Sequence, residues 1–281
     1  MTSHTDRPGW TDEDLATLPW ARFWNPVLAP LPERTLKALE RGARPLPSLP
    51  GLADSRVTLL DPSADSVSGY GFDDRGRMHV AIDIDMPGVT PAMIDWWFGW
   101  HGDRAAKYRL WHPQAHVSAA WLKAPPAGSA GRARYIGQTS IVDEYIGSRR
   151  LNGSIRFVPP AQLGLTDPAL NDDQVATVVC ARTGPADAPL DVGWLAHAVL
   201  RAPGGSVMRS RFWFGGEHVA GRGGPGGALA ALMASRILRL TESDARALLI
   251  HCAEEMQHLA GFLPALHTDF RDDPVDLPSA A

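Results

Sequence analysis

Residues 248–259 read Leu-Leu-Ile-His-Cys-Ala-Glu-Glu-Met-Gln-His-Leu, and their apolar positions recur with the period of one long C-terminal α-helix. His251 and Glu255 are four residues apart here, so they share a helix face. A carboxylate on an apolar face must be paired, protonated or bound to a cation. The helix can therefore present an imidazole and a carboxylate to one metal ion, whereas a polar stripe on a half-exposed helix is the commoner origin of an isolated pair of this spacing.

The residues on either side of this stretch set the expected limits of the helix. Thr241 can begin it as an N-cap, and Pro264 is expected to stop it after Gly261. Residues 228–240 are predicted to form a preceding helix. The glycine-rich residues 221–227 lack the motifs of a phosphate loop or a dinucleotide fingerprint, which favours a flexible connector.

Upstream of the helices, the sequence predicts antiparallel strands. Residues 77–85 alternate apolar and polar side chains, as a half-buried strand does, and Thr90 and Pro91 begin a short aromatic helix. Further strands are predicted at residues 135–145, 154–158, 174–181, 192–201 and 206–214, the last two forming a hairpin. Strands followed by a long terminal helix describe an α+β domain in which the helix packs across a curved sheet, leaving a ligand cavity between them.

The chain divides by composition into three expected parts. Residues 1–68 are rich in proline, so we expect an extension that lies over another surface, with dimerisation as one role. The catalytic domain is predicted over residues 69–272 and a flexible tail over residues 273–281.

Composition also argues against several classes of protein. The net charge of −4 and the lack of an evident basic patch argue against nucleic acid or an anionic membrane as the main partner. The two cysteines, Cys180 and Cys252, lie in apolar segments without C-x-x-C spacing, which suits a reducing cytoplasm. A signal-peptide pattern and an apolar run of ~20 residues are both lacking. We expect a soluble, cytoplasmic protein.

Several separate motifs resemble one enzyme family. Residues 86–101 read Met-Pro-Gly-Val-Thr-Pro-Ala-Met-Ile-Asp-Trp-Trp-Phe-Gly-Trp-His, residues 108–116 read Tyr-Arg-Leu-Trp-His-Pro-Gln-Ala-His, and residues 208–213 read Met-Arg-Ser-Arg-Phe-Trp. Together with His251 and Glu255, they resemble the 2,4-diacetylphloroglucinol hydrolases and their phloretin hydrolase relatives, over about residues 69–264. The resemblance implies a Bet v 1-like helix-grip fold, zinc and a homodimer. It also implies hydrolysis of the carbon-carbon bond between an acyl group and a polyhydroxylated aromatic ring, with a small polyphenolic ketone as the substrate.

The resemblance also assigns metal ligands. The implied zinc ligands are His116, Glu144, His251 and Glu255. His112 is an alternative to His116, because the two are four residues apart. Asp143 is an alternative to Glu144, although neighbouring residues of a strand point to opposite faces.

Candidate catalytic and substrate-binding residues follow from the same resemblance. His197 matches an acid/base histidine and Tyr108 a substrate-binding tyrosine, so both are expected to manage protons while zinc activates water. The candidate substrate contacts are Phe212, Arg211 and Trp97. Some relatives carry tyrosine at the position of Phe212, whose ring lacks that hydroxyl. Core packing is the alternative for Trp97, and a solvent-facing charge is the alternative for Arg211.

Two other classes of protein compete with this interpretation. A non-enzymatic helix-grip protein would hold a polyphenol, polyketide or lipid in the cavity without needing convergent histidines and glutamates. A di-iron carboxylate protein would use Glu255 and His258, which have E-x-x-H spacing, but that architecture requires two such motifs on a helix bundle. The many predicted strands disfavour it.

Overall fold

The computed structural model describes residues 7–172 and 175–272, so the expected tail at residues 273–281 lies outside the described residues. Its strands are β1 (Gly69–Phe72), β2 (Met78–Pro87), β3 (His116–Trp121), β4 (Thr139–Ile146), β5 (Arg149–Val158), β6 (Ala176–Pro185), β7 (Leu190–Asp191), β8 (Gly193–Ala202), β9 (Gly205–Phe214) and β10 (Ala220–Gly221). Its α-helices are α1 (Asp12–Thr17), α2 (Glu33–Arg41), α3 (Leu52–Thr58), α4 (Pro91–Trp100), α5 (Ala105–Trp111), α6 (Arg132–Tyr135), α7 (Gly224–Ile237) and α8 (Glu242–Phe270). Short 3-10 helices lie at Ala21–Phe23, Leu46–Ser48, His101–Asp103, Pro160–Leu163, Pro168–Asn171 and Gly216–His218.

Eight of these strands form one antiparallel sheet in the order β1-β2-β9-β8-β6-β5-β4-β3. The predicted hairpin is confirmed, since β8 and β9 pair along their whole length. Helix α8 contacts β1 and β2 near one end of the sheet and β4 near the other, so the sheet wraps around the helix. This arrangement confirms the predicted α+β helix-grip architecture.

Helix α8 begins as predicted but ends later. Thr241 caps its first turn, and the helix then continues through Pro264 to Phe270, so the predicted stop after Gly261 is wrong. The proline removes one backbone donor from the helix. The final turns remain helical because Leu266 and Phe270 bury their side chains in the same apolar core as the rest of the helix.

The glycine-rich segment is more ordered than its sequence predicts. Helix α7 begins at Gly224, inside the predicted flexible connector, and β10 ends just before it at Gly221. A Cβ atom at Gly221 would lie 1.9 Å from the carbonyl oxygen of Gly227, so this close approach of two backbone segments requires glycine. Close packing accounts for Gly221 and Gly227, and the expectation of a flexible connector is wrong for the part of the segment that lies in α7.

Both faces of the central sheet are buried. Phe212 of β9 packs in the main core against α8, whereas the next residue, Trp213, packs in a second apolar cluster on the outer face. The strand predicted at residues 77–85 is present as β2, but the expectation that it is half-buried is wrong, since His79 and Asp83 on the outer face are buried as well. The segment that precedes β1 covers this face, and the backbone N–H of Val67 donates to Asp83 at 3.0 Å.

The N-terminal part of the described chain also packs against the main core. The Trp20 ring is 3% exposed, and it makes edge contacts with Trp100 at 5.3 Å and Phe270 at 6.4 Å between ring centroids.

Among the described helices, none is both long and apolar enough to cross a bilayer.

Candidate metal centre

Three elements bring two imidazoles and two carboxylates together. His116 begins β3 and lies opposite Glu144 of β4 in the strand register. His251 and Glu255 share one face of α8, as their spacing predicts. Helix α8 crosses the sheet beside β4, so the strand pair and the helix pair face each other.

The distances within this group suit a single metal ion. His116 Nε2 lies 3.5 Å from Glu144 Oε2 and 3.6 Å from Glu255 Oε2. His251 Nε2 lies 3.6 Å from Glu144 Oε2 and 3.8 Å from Glu255 Oε2. Ligand atoms around a tetrahedral ion, each ~2.1 Å from it, are about 3.4 Å apart. His116, His251 and Glu255 each offer a ligand atom within 4.8 Å of the others, and all three are buried.

The surroundings of His116 leave one ring nitrogen free to bind a cation. Its Nδ1 lies 2.9 Å from the backbone carbonyl oxygen of Tyr108, so Nδ1 carries the proton and Nε2 carries the lone pair. Within the described parts of the chain, Nε2 is buried without a hydrogen-bond partner. An orphaned buried nitrogen that faces two carboxylates is the arrangement expected of a ligand.

Tyr108 fixes both strand residues of the group. Its ring stacks on the His116 imidazole with centroids 3.8 Å apart, and its hydroxyl donates to Glu144 Oε2 at 2.6 Å. Burial raises the pKa of Tyr108 well above its usual value, with the negative charge of Glu144 adding to the effect. The hydroxyl therefore stays protonated as a donor at neutral pH.

Burial and neighbouring charges shift the pKa of all four residues of this group. Burial raises the pKa of Glu255 to about 8, and burial lowers the pKa of His116 well below its usual value. Burial disfavours the charged forms of His251 and Glu144 too, but their attraction to each other and to the other charges around them together outweighs it, so the pKa of His251 is raised and that of Glu144 is lowered. At neutral pH the metal-free group retains a proton on Glu255, which a divalent cation would displace.

The two alternative ligands have partners outside this group. His112 Nε2 lies 3.3 Å from Glu254 Oε2, although the His112 ring stacks on His251 with centroids 4.9 Å apart. Asp143 pairs with Arg150 at 2.7 Å on the opposite face of β4 from Glu144. The structure thus brings His116 and Glu144 into the group.

His197 lies apart from the ligands, in an apolar part of the core. Its Nδ1 lies 2.8 Å from the hydroxyl oxygen of Ser210 on the neighbouring strand. Its ring contacts Phe98 and Phe212 at centroid distances of 6.1 and 5.7 Å. Burial lowers the pKa of His197 to about 3, so the imidazole is neutral at physiological pH.

The other two candidate substrate contacts are placed differently. Trp97 is fully buried in the main core, where its ring meets those of Trp111 and Phe262. Arg211 lies on the outer face of β9 and donates to Asp83 Oδ1 at 2.7 Å. The structure therefore separates Arg211 from the other candidate site residues, because adjacent residues of a strand face opposite sides.

A cavity of about 380 Å³ opens beside the ligand group, between α8, the segment just before β3 and the C-terminal end of β4. His251 lines it together with His112, Gln114, Arg246 and Glu254. Sequence reasoning missed most of this lining. The helical spacing of residues 243, 247, 250 and 254 was a signal that they share a face with His251.

Comparison with known proteins gives one family. A family model described as the DAPG hydrolase PhiG domain matches residues 49–268. A 2,4-diacetylphloroglucinol hydrolase of Pseudomonas protegens is 27% identical over 260 residues, which cover 90% of this chain and 84% of that protein. A phloretin hydrolase of Eubacterium ramulus is 25% identical over 276 residues, which cover 92% of this chain and 93% of that protein.

Solved structures give weaker similarities. Ara h 8.0201 aligns with 68% of this chain and 99% of its own, with a TM-score of 0.40 and 11% identity. The Zhui aromatase/cyclase of Streptomyces sp. R1128 aligns with 69% of this chain and 94% of its own, with a TM-score of 0.35 and 12% identity.

Proposed function

This chain belongs to the DAPG hydrolase PhiG domain family and is a hydrolase, as its sequence predicted, and from that premise we propose its reaction and its metal. The proposed reaction is hydrolysis of the carbon-carbon bond between an acyl group and a polyhydroxylated aromatic ring. The substrate would be an acylphloroglucinol or a dihydrochalcone of the phloretin kind, by analogy with the names of the relatives. The proposed metal is zinc.

The convergence of His116, Glu144, His251 and Glu255 is the observation that carries this proposal. Zinc accepts nitrogen and carboxylate ligands in a tetrahedral arrangement, and the atoms offered here are of those kinds. A ligand-binding protein without activity would have no use for such a group, which is costly to bury. The hydrolase is therefore the better explanation of the site.

The chemistry can be divided between the metal and the protein. Bound zinc supplies Lewis acidity. Water adds a hydroxyl group to the acyl carbon and a proton to the ring carbon, so the products are a carboxylic acid and the deacylated phenol. Tyr108 holds Glu144 through its hydroxyl proton and stacks on His116, which fixes both ligands. His197 is neutral and, with a pKa of about 3, a weak base, so its proposed role is to relay a proton to the ring carbon without retaining it.

Substrate contact is proposed for Phe212, whose ring lies beside His197. Phenylalanine offers no hydroxyl to the acyl oxygen, so this position would contribute shape and apolar contact. Trp97 would act only indirectly, by packing behind the site, because its ring is fully buried.

Metal content tests the proposal most directly. We expect about one zinc per chain in the purified protein, and its loss in Glu255→Ala. The matched control is Glu254→Ala, which removes the adjacent carboxylate that contacts His112 instead. Cleavage of a panel of acylphloroglucinols and phloretin, with product identification, then assigns the substrate. A folded protein that takes up no zinc even when zinc is supplied would contradict the proposal.

Assembly and location remain predictions. A homodimer, a cytoplasmic location and a boundary between extension and catalytic domain at residue 69 come from the resemblance and the composition. Sedimentation of the purified protein tests the dimer.

A further inference from the structure

A second site lies in the N-terminal part of the chain, in a groove of about 340 Å³. One wall is helix α2, where Arg34, Lys37 and Arg41 recur at intervals of three and four residues and share a face. Arg44 follows the turn at Gly42 and completes this basic wall. The rest of the lining consists of Ser48, Ser66, Val67 and Ser68. None of these residues lines the metal centre or the cavity beside it.

The clustering of these basic residues is not evident from the sequence. No long run of basic residues marks it, and the chain as a whole is acidic, with a net charge of −4. The expectation that basic residues do not cluster is therefore wrong for this groove. Helical spacing and the turn at Gly42, whose φ of +76° favours glycine, bring together residues that are separate in sequence.

The positive charges of the groove are only partly compensated. Arg34 donates to Asp85 Oδ2 at 2.8 Å and to Ser66 Oγ at 3.0 Å. Lys37 pairs with Glu33 at 2.6 Å. Within the described residues, Arg41 and Arg44 have no ion pair or side-chain hydrogen bond. Two guanidinium groups thus line the same groove without a hydrogen bond to the described part of the chain.

The backbone of Arg44 is held firmly in place. Its N–H donates to the carbonyl oxygen of Tyr70 at 2.9 Å. Its carbonyl oxygen lies against Gly71 of β1, where a Cβ atom would come within 2.3 Å of it. The side chain of Arg44 therefore starts from a fixed point at the edge of the groove, which reduces the entropy lost when it binds a ligand.

We propose that this groove binds a small multivalent oxyanion, either a phosphate ester or a polycarboxylate. Guanidinium groups bind the paired oxygens of such anions through two parallel hydrogen bonds. Two unpaired arginines match an anion of at least two charges, whereas a monoanion would leave one of them unused. The hydroxyl groups of Ser66 and Ser68, which accept hydrogen bonds from the protein, can supply further donors to the anion. The single compact groove suits a small molecule rather than a nucleic acid, which needs an extended basic surface.

Calorimetric titration of the zinc-loaded protein tests this proposal, with glycerol phosphate, tricarballylate and acetate as probes at one fixed ionic strength. We expect glycerol phosphate or tricarballylate to bind, which identifies the source of the anion, and acetate to bind far more weakly. Arg44→Gln should weaken binding by about tenfold or more, as expected for loss of hydrogen bonds to a charged group. Arg41→Gln should act in the same direction.

The matched control is Arg236→Gln, which removes the same charge from an exposed position on α7. It should leave anion binding unchanged, and metal content should be equal in all variants. The proposal is overturned if neither multivalent anion binds, or if Arg44→Gln and Arg236→Gln behave alike. Binding of acetate as tight as that of the multivalent anions would also overturn it, as would binding only to an oligonucleotide or to anionic vesicles. The test is independent of hydrolase activity.

Discussion

His197 is the residue on which the proposed proton transfer depends. It is neutral and buried, and in the described part of the chain Ser210 is its one hydrogen-bond partner. We predict that His197→Ala keeps its zinc and loses about 10²- to 10⁴-fold in kcat, the usual contribution of a general acid or base. Metal analysis and steady-state kinetics on the same preparation measure both quantities. Near-normal turnover with intact metal would show that the proposed role is wrong.

Arg211 should matter for stability rather than for substrate. It forms a buried pair with Asp83 at 2.7 Å on the outer face of the sheet. Removing one partner of such a pair leaves a buried charge, so we predict that Arg211→Ala lowers the free energy of unfolding by roughly 3–5 kcal/mol. Urea unfolding measures it, and Arg211→Lys, which keeps the positive charge, should lose less. An unchanged unfolding free energy with a raised KM would argue for substrate contact instead.

For individual residues, the sequence predicted best those contacts that depend on spacing within one element. His251 and Glu255 share a face because four residues make about one helical turn. The approach of His116 to Glu144 depends on the register of two strands, so composition and period alone could not predict it, and the resemblance was needed. Asp83, the partner of Arg211, lies in a strand that is adjacent in the sheet but distant in sequence. For that reason the burial of Arg211 was not predicted.

Among the elements, helix α8 differs most from its predicted form. Local rules end a helix near proline, yet the turns beyond Pro264 stay helical because their apolar side chains dock on the core. We predict that Leu266→Ala, which removes a fully buried side chain, lowers the free energy of unfolding by about 2–5 kcal/mol.

The matched control is Leu232→Ala on α7, where the same change is made at a side chain that is 51% exposed. It should change the unfolding free energy by less than about 0.5 kcal/mol. Equal effects of the two substitutions in urea unfolding would mean that the turns beyond Pro264 do not dock.

Helix α4 and strand β2 also show that local interactions were predicted and long-range packing was not. Thr90 and Pro91 begin α4 as predicted, because capping is a local interaction. The burial of β2 on both faces depends on the chain segment that lies over it, and alternation within residues 77–85 carries no information about that cover.

For the whole molecule, buried neutral histidines should make the fold sensitive to acid. Burial lowers the pKa of His79, His101 and His258 to about 4 and that of His197 to about 3. Between these values and about 6.5, the unfolded chain binds protons that the folded protein does not, so stability rises with pH across this window and is lost as pH falls. Each such group contributes a slope of about 1.4 kcal/mol per pH unit.

We predict that the unfolding free energy falls steeply from pH about 6.5 to about 4, and that His79→Gln makes this slope shallower by about one proton. His79 lies on the outer face beside His218 and away from the metal ligands, so the substitution should not alter metal content. Urea unfolding at several pH values, with both proteins at the same metal occupancy, measures the difference. Parallel pH profiles for the two proteins would contradict the prediction.

The ligand group also has a consequence for biosynthesis. His116 and Glu144 lie in the paired strands β3 and β4 near the middle of the chain, whereas His251 and Glu255 lie in α8, the final helix of the described chain. During translation, β3 and β4 leave the ribosome with His116 and Glu144 before α8 has been synthesised, so only half of the ligand group is then present. If the group binds a metal as proposed, stable loading can follow only after the last helix has been translated and docked, so loading would mark a completed fold rather than guide its first steps.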